Sequence, residues 1–262
     1  MPRGAAFFDL DKTLMEGSSA VHFGRAAYNA GLISKRQLLK DAWANVQFRL
    51  RGSTDETTQA LWDRILDSIA GTRVVDLARL APQILAGVLP RLYPQMLATA
   101  WGHQDAGRPV YIVTAASQEL SELLATVLGF DGGIGARSEI RDGVYTGRPD
   151  GPFTYREGKA EAIRQVAAQE GFHLADSYAY SDSESDLPML RAVGHPVAVN
   201  PDAELRAVAR EEGWELVQFD KLHRRVRIAS IAGGAGLVAA GAGYAAARAT
   251  RPGGVRGRLG LA

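Results

Sequence analysis

The sequence predicts an α/β protein whose core is a Rossmann-like parallel sheet, and three features of the chain support this class. Short apolar runs typical of buried strands recur at 5–8, 109–113, 178–180, 196–199 and 214–217. Helical patterns alternate with them at 118–128, 158–170 and 202–212, as in a parallel sheet covered by helices. Three of the runs lead into Asp9, Thr114 and Asp182. Because ligands of such sheets bind at the carboxyl ends of the strands, these polar residues indicate the site.

The composition is that of a globular protein. The chain has 262 residues, 46% of them hydrophobic and 23% charged, which is enough for one α/β domain with a smaller inserted one. It contains no cysteine. A disulfide framework, a thiolate zinc site and a cysteine nucleophile are therefore excluded.

Residues 17–95 interrupt the alternation with one helical pattern after another, at 21–32, 34–50, 55–71 and 74–89. No convincing strand occurs among them. We therefore expect residues 17–95 to form a helical cap, inserted into a core made of residues 1–16 and 96–220. Within the core, a hairpin is predicted at 138–147 around Asp142-Gly143.

Asp9 and Asp11 directly follow the first predicted strand. Two carboxylates placed two residues apart, where a strand turns, can reach one small volume. One can ligate a hard cation and attack phosphorus, while the other donates a proton to the leaving oxygen and later activates water. The alternative is an acidic loop that caps a strand, and an Asp-x-Asp tripeptide by itself does not distinguish the two.

Asp182 and Asp186 form a second acidic pair after a predicted strand. Their spacing of four places them on the same side of a turn that enters a helix. If Asp182 and Asp186 lie beside Asp9 and Asp11, the four carboxylates repel one another. A Mg²⁺ ion would relieve this repulsion and offset the charge of a phosphate. The alternative for this segment is a helix N-terminus with acidic residues in its first turn.

Thr114 and Lys159 complete a candidate phosphate site. Thr114 follows a strand, and Ala115 and Ala116 leave the backbone after it open to an anion, while Lys159 starts a predicted helix. A hydroxyl, an ammonium group and helix N-terminal amides can together bind phosphate. Each element is a weak signal alone, since most single lysines are solvated. The four segments in this order, each at an element boundary, indicate one site.

These segments resemble the haloacid dehalogenase superfamily, in its phosphoserine-phosphatase-like branch (subfamily IB), which has a helical cap of the C1 type between the first two motifs. The matching segments are DLDKT (9–13), VTAAS (113–117), GKA (158–160) and YSDSESD (180–186). The likeness extends over roughly residues 4–219.

The resemblance implies a role for each matching residue. Asp9 is the nucleophile and a metal ligand, and Asp11 is the general acid and base and also gives the metal its backbone carbonyl. Thr114 and Lys159 hold the transferring phosphoryl group, Asp182 ligates Mg²⁺ and Asp186 supports it. The implied cofactor is Mg²⁺. The implied reaction is hydrolysis of a phosphomonoester through a phosphoaspartate, and an aspartate at position 11 favours a phosphatase over the dehalogenase and ATPase branches.

Position 18 departs from the pattern of phosphoserine phosphatases. These usually carry a glutamate nine positions after the nucleophile to bind the amino group of the substrate, and here that position is Ser18. The expected substrate is therefore a phosphorylated small molecule or a lipid-linked phosphate, with its specificity set in the cap, and phosphoserine is not favoured. No signal-peptide pattern precedes the first strand, so we expect the catalytic part to be cytoplasmic.

Residues 221–262 form a basic, Gly/Ala-rich tail. They contain eight of the 30 Lys and Arg residues and none of the 29 Asp and Glu residues, so the body of the chain is acidic, which argues against a nucleic-acid partner. Within the tail, 228–247 is a run of 20 uncharged residues with nine Ala and five Gly. Three interpretations stay open: a weakly hydrophobic transmembrane helix or tail anchor that holds the catalytic part at the inner face of the cell membrane, a basic segment lying on anionic lipid, and a flexible tail.

The alternative to an enzyme is a membrane-tethered regulatory protein that binds phosphate with little turnover. Every position of the four-part signature holds a residue competent for catalysis. The sequence therefore favours the enzyme.

Overall fold

The computed structural model describes residues 4–34, 36 and 55–219. Its centre is a six-stranded sheet in which all neighbouring strands are parallel. In spatial order the strands are β3 (Gly132–Ala136), β2 (Val110–Ser117), β1 (Ala6–Asp9), β6 (Tyr178–Ser181), β7 (His195–Val199) and β8 (Glu215–Val217). A separate hairpin pairs β4 (Ser138–Arg141) with β5 (Val144–Pro149). The predicted fold class is confirmed.

Nine α-helices occur in the described ranges, and we number them in chain order. They are α1 (Ser19–Asn29), α2 (Asp55–Ile69), α3 (Val74–Ala78), α4 (Ala81–Val88), α5 (Pro94–Asp105), α6 (Gln118–Leu128), α7 (Glu157–Glu170), α8 (Leu187–Arg191) and α9 (Ala203–Glu211). Helices α6 and α9 begin at side-chain caps, because Ser117 accepts a hydrogen bond from Leu120 N and Asp202 accepts one from Leu205 N.

All five predicted strands belong to the sheet, and β1 lies between β2 and β6 with all four of its residues buried. This placement explains its continuous apolar pattern, since a strand covered on both faces has no solvent side. The register pairs Asp9 with Val113 of β2 and Phe8 with Tyr180 of β6. The segments that follow these three strands therefore emerge at the same edge of the sheet.

Strand β3 was not predicted, because Gly132-Gly133-Ile134-Gly135-Ala136 lacks an apolar run. The glycines are required by close packing against the segment that begins α6. A Cβ on Gly133 would lie 2.3 Å from the carbonyl carbon of Ser121, and one on Gly135 would lie 2.6 Å from the carbonyl oxygen of Ser117. This reason is tertiary and leaves no trace in the strand's own periodicity.

The predicted helix at 74–89 is two helices, α3 and α4, separated at Arg79 and Leu80. Pro82 lies in the first turn of α4, where a proline without an N–H group is tolerated, so it starts a new helix at this point. The predicted hairpin is present: Asp142 and Gly143 both have positive φ, 51° and 75°, as a tight two-residue turn requires. The predicted helix at 34–50 lies mostly outside the described residues.

The helical segment is attached to the hairpin and to the loop before α7. Gly71 N donates to the carbonyl of Tyr145 at 2.9 Å, and Tyr145 N donates to the carbonyl of Thr72 at 3.0 Å. The rings of Trp62 in α2 and Phe153 stack with centroids 4.7 Å apart and planes 8° from parallel. These contacts fix α2 against residues that come after the second strand. The division into a core of 1–16 and 96–220 and a cap of 17–95 stays a prediction.

The basic tail at 221–262, including 228–247, lies outside the described residues. In the ranges that the structure does describe, no helix combines the length and the apolar character needed to cross a membrane.

Candidate active site

A buried lysine joins two of the predicted carboxylates. Lys159 Nζ donates to Asp9 Oδ1 at 2.6 Å and to Asp186 Oδ2 at 2.7 Å. All three side chains are at least nine-tenths buried. Charge-assisted hydrogen bonds this short, in a site with little water, hold the three groups in one arrangement.

Lys159 reaches this position because the loop before α7 makes an unusually close turn. A Cβ on Gly158 would lie 1.8 Å from the carbonyl oxygen of Phe153, so only glycine fits there. Arg156, two residues earlier, has φ 50° and ψ −120°, a backbone conformation that residues other than glycine rarely adopt. Thr154 Oγ1 anchors the loop by donating to the carbonyl of Gly135 at 2.9 Å. A strained turn held from several sides is typical of a functional loop.

Asp186 is fixed by a second donor. Ser181 Oγ, at the end of β6, donates to Asp186 Oδ2 at 2.6 Å. Asp186 Oδ1 is buried and has no hydrogen-bond partner in the part of the chain that the structure describes. A buried carboxylate oxygen without a donor is costly, and a ligand at this position would satisfy it.

Asp182 lies beside the same cluster and contacts a different lysine. Lys12 Nζ donates to Asp182 Oδ2 at 3.3 Å, and the Lys12 side chain is half exposed. Lys12 has φ 62°, in the left-handed region, and it lies in the turn between Asp9 and α1. This turn places the side chain of residue 12 over the loop that follows β6.

The pKa values of the cluster reflect its burial and its excess of negative charge. Burial raises the pKa of Asp9 to about 8, with Lys159 opposing the shift and Asp186 and Asp182 adding to it. Burial likewise raises the pKa of Asp182 to about 6, against the attraction of Lys12. Burial by itself lowers the pKa of Lys159, but the carboxylates of Asp186 and Asp9 outweigh it, so the pKa is raised and the lysine is charged.

The side chains fit a divalent cation by their chemistry. The carboxyl groups of Asp9, Asp182 and Asp186 are buried, whereas Lys159 is, among the described residues, the one buried ammonium group that contacts any of them, so the buried part of the site holds more acidic than basic groups. Asp186 Oδ1 adds a buried oxygen without a donor. Such oxygen donors suit Mg²⁺. No three His, Asp or Glu side chains in residues 4–34, 36 and 55–219 already converge as a metal site; instead Lys159 Nζ joins two of the carboxylates.

Thr114 is buried within β2, which continues to Ser117 instead of ending at Val113 as predicted. The register of β2 with β3 shifts between Val113 and Ser117, so Thr114 lies at an irregularity of the ladder. Its Oγ1 accepts a hydrogen bond from Ala116 N at 3.2 Å. Since Val113 pairs with Asp9 across the sheet, Thr114 lies one residue beyond the strand partner of Asp9.

Asp11 is held by the start of α1. Its Oδ2 accepts from Ser18 Oγ at 2.6 Å, and its Oδ1 accepts from Ser19 N at 2.8 Å. Both contacts come from the segment that was predicted to open the helical cap. Asp11 therefore faces the start of α1, whereas Asp9 is bound to Lys159.

The structure thus connects Asp9, Lys159 and Asp186 by direct hydrogen bonds and places Asp182 close enough to influence Asp9. Sequence reasoning missed the other donors, which are Lys12, Ser18, Ser19 and Ser181. A signal existed for Ser18, because a serine just before a helical pattern marks a helix start. No comparable signal distinguishes Ser181 from the other serines of the same segment.

Comparison with known proteins agrees with this geometry. Residues 6–191 match the model of the haloacid dehalogenase-like hydrolase family. The match covers well over half of the chain, and the chain belongs to this family.

Individual relatives narrow the class. The chain is 39% identical over 249 residues to the Mycobacterium tuberculosis protein named Phosphoserine phosphatase SerB1, covering 94% of this chain and 80% of that protein. It is 29% identical to the Neisseria meningitidis protein named Histidinol-phosphatase, covering 83% and 99%. A crystal structure of a Bordetella pertussis protein of unknown function matches with a TM-score of 0.73 and 32% identity, covering 83% and 99%. The predicted family and the predicted enzyme class, a phosphatase, are confirmed.

Proposed function

We propose that the chain is a Mg²⁺-dependent phosphomonoester hydrolase that acts through a phosphoaspartate on Asp9. The single observation that carries this proposal is the buried Asp9–Lys159–Asp186 arrangement at the carboxyl ends of β1 and β6. A carboxylate fixed by a buried ammonium group is oriented for attack. The same ammonium group offsets the charge of an incoming phosphate.

In the first step, an Asp9 carboxylate oxygen attacks phosphorus in line with the leaving oxygen. A bond from Asp9 to phosphorus forms, the bond to the leaving alcohol breaks, and Asp11 gives a proton to the departing oxygen. Lys159 and the hydroxyl of Thr114 bind the equatorial phosphoryl oxygens. The geometry supports this assignment, because Lys159 already contacts Asp9 and Thr114 lies one residue beyond the strand partner of Asp9.

In the second step, water attacks the phosphoaspartate. Asp11, now ionised, accepts the proton of that water, and inorganic phosphate leaves while Asp9 is regenerated. The contacts of Asp11 support the assignment, since its donors are Ser18 and Ser19 and not Lys159, the donor to Asp9. One acidic group can therefore serve both steps.

The ligand set proposed for Mg²⁺ consists of Asp9, the backbone carbonyl of Asp11, Asp182 and, as support, Asp186. When bound, the ion supplies positive charge that offsets the carboxylates and the phosphate. The raised pKa values of Asp9 and Asp182 support the need for such a charge, because both groups are buried among like charges. Lys159 is shared by two of the three buried carboxylates, and the half-exposed Lys12 is the partner of the third.

For the substrate we propose a phosphorylated small molecule whose leaving group lies beside Asp11 at the start of α1. The contacts of Ser18 and Ser19 with Asp11 support this, since they place the first cap helix beside the acid that meets the leaving group. Relatives named for phosphoserine and histidinol phosphate make amino-alcohol phosphates the first compounds to test. A lipid-linked phosphate, suggested by the tail sequence and by Ser18 in place of the glutamate, is tested beside them.

The experiment measures release of inorganic phosphate by the full chain, with Mg²⁺ and with EDTA, and with Asp9→Asn as the control. The substrates are p-nitrophenyl phosphate, phosphoserine, histidinol phosphate and a lysophosphatidate. We expect turnover that requires both Mg²⁺ and Asp9. Tight beryllium fluoride binding without turnover of any substrate would instead favour the regulatory phosphate-binding protein.

A further inference from the structure

We infer that Ser18 is a positioning residue for Asp11: its hydroxyl, together with Ser19 N–H, sets the orientation in which Asp11 meets the leaving group. This inference rests on the proposed function, since it assigns Asp11 the proton transfer. It adds a residue that the four sequence motifs do not contain.

The geometry is specific on both sides of the carboxylate. Asp11 Oδ2 accepts a hydrogen bond from Ser18 Oγ at 2.6 Å, and Asp11 Oδ1 accepts one from Ser19 N at 2.8 Å. Ser18 and Ser19 are both buried, at 9% and 2% exposure. The terminal torsion of an aspartate is soft, so two donors on different oxygens are needed to select one plane for the carboxylate.

A second observation separates Ser18 from an ordinary helix cap. Ser18 is the residue before α1 and has the extended backbone of such a cap, with φ −133° and ψ 130°, yet its side chain makes no hydrogen bond to the helix. A capping serine normally accepts a hydrogen bond from an amide of the first turn. Here the hydroxyl donates to Asp11 instead, which indicates that its role concerns the acid.

The arrangement leaves Asp11 able to react. Each carboxylate oxygen has two lone pairs, so an oxygen that accepts one hydrogen bond from Ser18 or Ser19 can still exchange a proton with a substrate oxygen. The two donors restrict rotation without occupying every acceptor site. Loss of the Ser18 hydroxyl should therefore misalign the acid and leave the Asp9 cluster intact.

The test compares leaving groups. Protonation of the leaving oxygen matters for an alkyl phosphate and little for p-nitrophenyl phosphate, whose phenolate departs unaided. We expect Ser18→Ala in the full chain to lower kcat/KM for an alkyl phosphate by about tenfold, the effect of one hydrogen bond to a charged group, and for p-nitrophenyl phosphate by less than about twofold. Ser18→Thr, which keeps the hydroxyl, should restore the alkyl rate.

Two reference variants make the result interpretable. Asp11→Asn should show the same leaving-group dependence, larger in size, since general acid catalysis contributes about 10²- to 10⁴-fold. Ser68→Ala, which removes an exposed hydroxyl bonded only locally within α2, should change neither rate. The thermal midpoint of each variant verifies folding, and rates are compared among variants that remain folded at the assay temperature.

The outcomes are distinct. If Ser18→Ala slows both substrates equally, leaves both unchanged, or speeds the alkyl phosphate, Ser18 does not position the acid and the inference is overturned. If the wild-type chain shows no Asp9-dependent turnover of either compound, the proposed function itself fails. A leaving-group-dependent loss in Ser18→Ala that Ser18→Thr restores supports the inference.

Discussion

Lys159 Nζ lies 2.6 Å from Asp9 Oδ1, although the two residues are 150 positions apart in the chain. Both side chains are buried, and Asp186 Oδ2 lies 2.7 Å from the same lysine nitrogen. Removal of the lysine leaves two carboxylates in a dry site without a counter-charge. That relationship makes Lys159 important for folding as well as for phosphate binding.

We therefore predict that Lys159→Met lowers the free energy of unfolding by about 3–5 kcal/mol at neutral pH, as when one partner of a buried ion pair is removed. Urea denaturation of the full chain measures it. The matched control is Lys12→Met, because Lys12 also contacts an aspartate but is half exposed. Because Lys12 is half exposed, water can replace part of its interaction with Asp182, so Lys12→Met should cost less, and equal losses in the two variants would contradict the prediction.

Asp9→Asn should abolish turnover and leave the fold in place. The amide is the same size as the carboxylate but cannot form the phosphoaspartate, and loss of a nucleophile lowers kcat by about 10³-fold or more. Phosphate release at saturating substrate measures this. Asp63→Asn, on the exposed face of α2, is the control and should behave as wild type. Near-native activity of Asp9→Asn would eliminate the covalent mechanism.

Metal binding can be measured without turnover. A cation that binds the folded chain at 100 times its Kd stabilises it by about 2.7 kcal/mol, and we expect Mg²⁺ to raise the thermal midpoint by about 5 °C. Asp182→Asn should reduce that rise strongly. Glu184 lies in the same segment as Asp182, but its carboxylate pairs with Arg156. Glu184→Gln should therefore retain the rise in thermal midpoint with Mg²⁺. A rise of the same size in Asp182→Asn would remove Asp182 from the ligand set.

The sequence predicted those parts of the fold that are encoded locally. The strands before Asp9, Thr114 and Asp182 have continuous apolar runs because both faces of the sheet are covered. Strand β3 has no such run. Its residues Gly133 and Gly135 pack so closely against the start of α6 that a Cβ atom at either position would overlap the backbone there. A requirement set by a neighbouring helix cannot be read from the periodicity of the strand.

The same distinction applies to the site. The motifs predicted that Asp9, Lys159 and Asp186 lie at element boundaries, and the structure brings their side chains into hydrogen-bond contact. The hydrogen-bond donor of each carboxylate depends on turn geometry. For example, Lys12 has a left-handed backbone conformation and donates to Asp182. The contact between Ser18 and Asp11 likewise depends on where α1 starts, which a pattern locates only to within a few residues.

Gly158 allows a test of how Lys159 is positioned. Gly158→Ala would place a Cβ 1.8 Å from the carbonyl oxygen of Phe153, so the loop must shift and carry Lys159 with it. We expect lower kcat and a loss of about 1–3 kcal/mol of stability, as for overpacking. In Gly102→Ala, within α5, the Cβ meets no atom within 4 Å, and the variant should be more stable by about 0.5–1 kcal/mol. Full activity of Gly158→Ala would mean that the loop tolerates the change.

The lowered pKa of the buried His103 should make the free energy of unfolding depend on pH. It is buried in α5, where its Nε2 contacts the hydroxyl of Tyr180 at 2.7 Å and its Nδ1 accepts from Arg108 Nε at 2.8 Å. Burial, and then the charge of Arg108, lower the pKa of His103 from 6.5 to about 4. Between these two values the unfolded chain binds the proton and the folded chain does not. The contribution of His103 is therefore fully present above pH 6.5 and is lost as the pH falls towards 4.

We expect this linkage to reduce the free energy of unfolding by about 3 kcal/mol across that interval. Carboxylates titrate in the same range, so the informative quantity is the difference between wild type and His103→Gln, which cannot titrate. Urea denaturation at a series of pH values from 7.5 to 4 measures it. The variant should be less stable at pH 7.5, because it loses the packing of the imidazole, and the gap should narrow by about 3 kcal/mol at the acid end. A gap that is constant with pH would show that His103 takes up its proton equally well in the folded and unfolded chains.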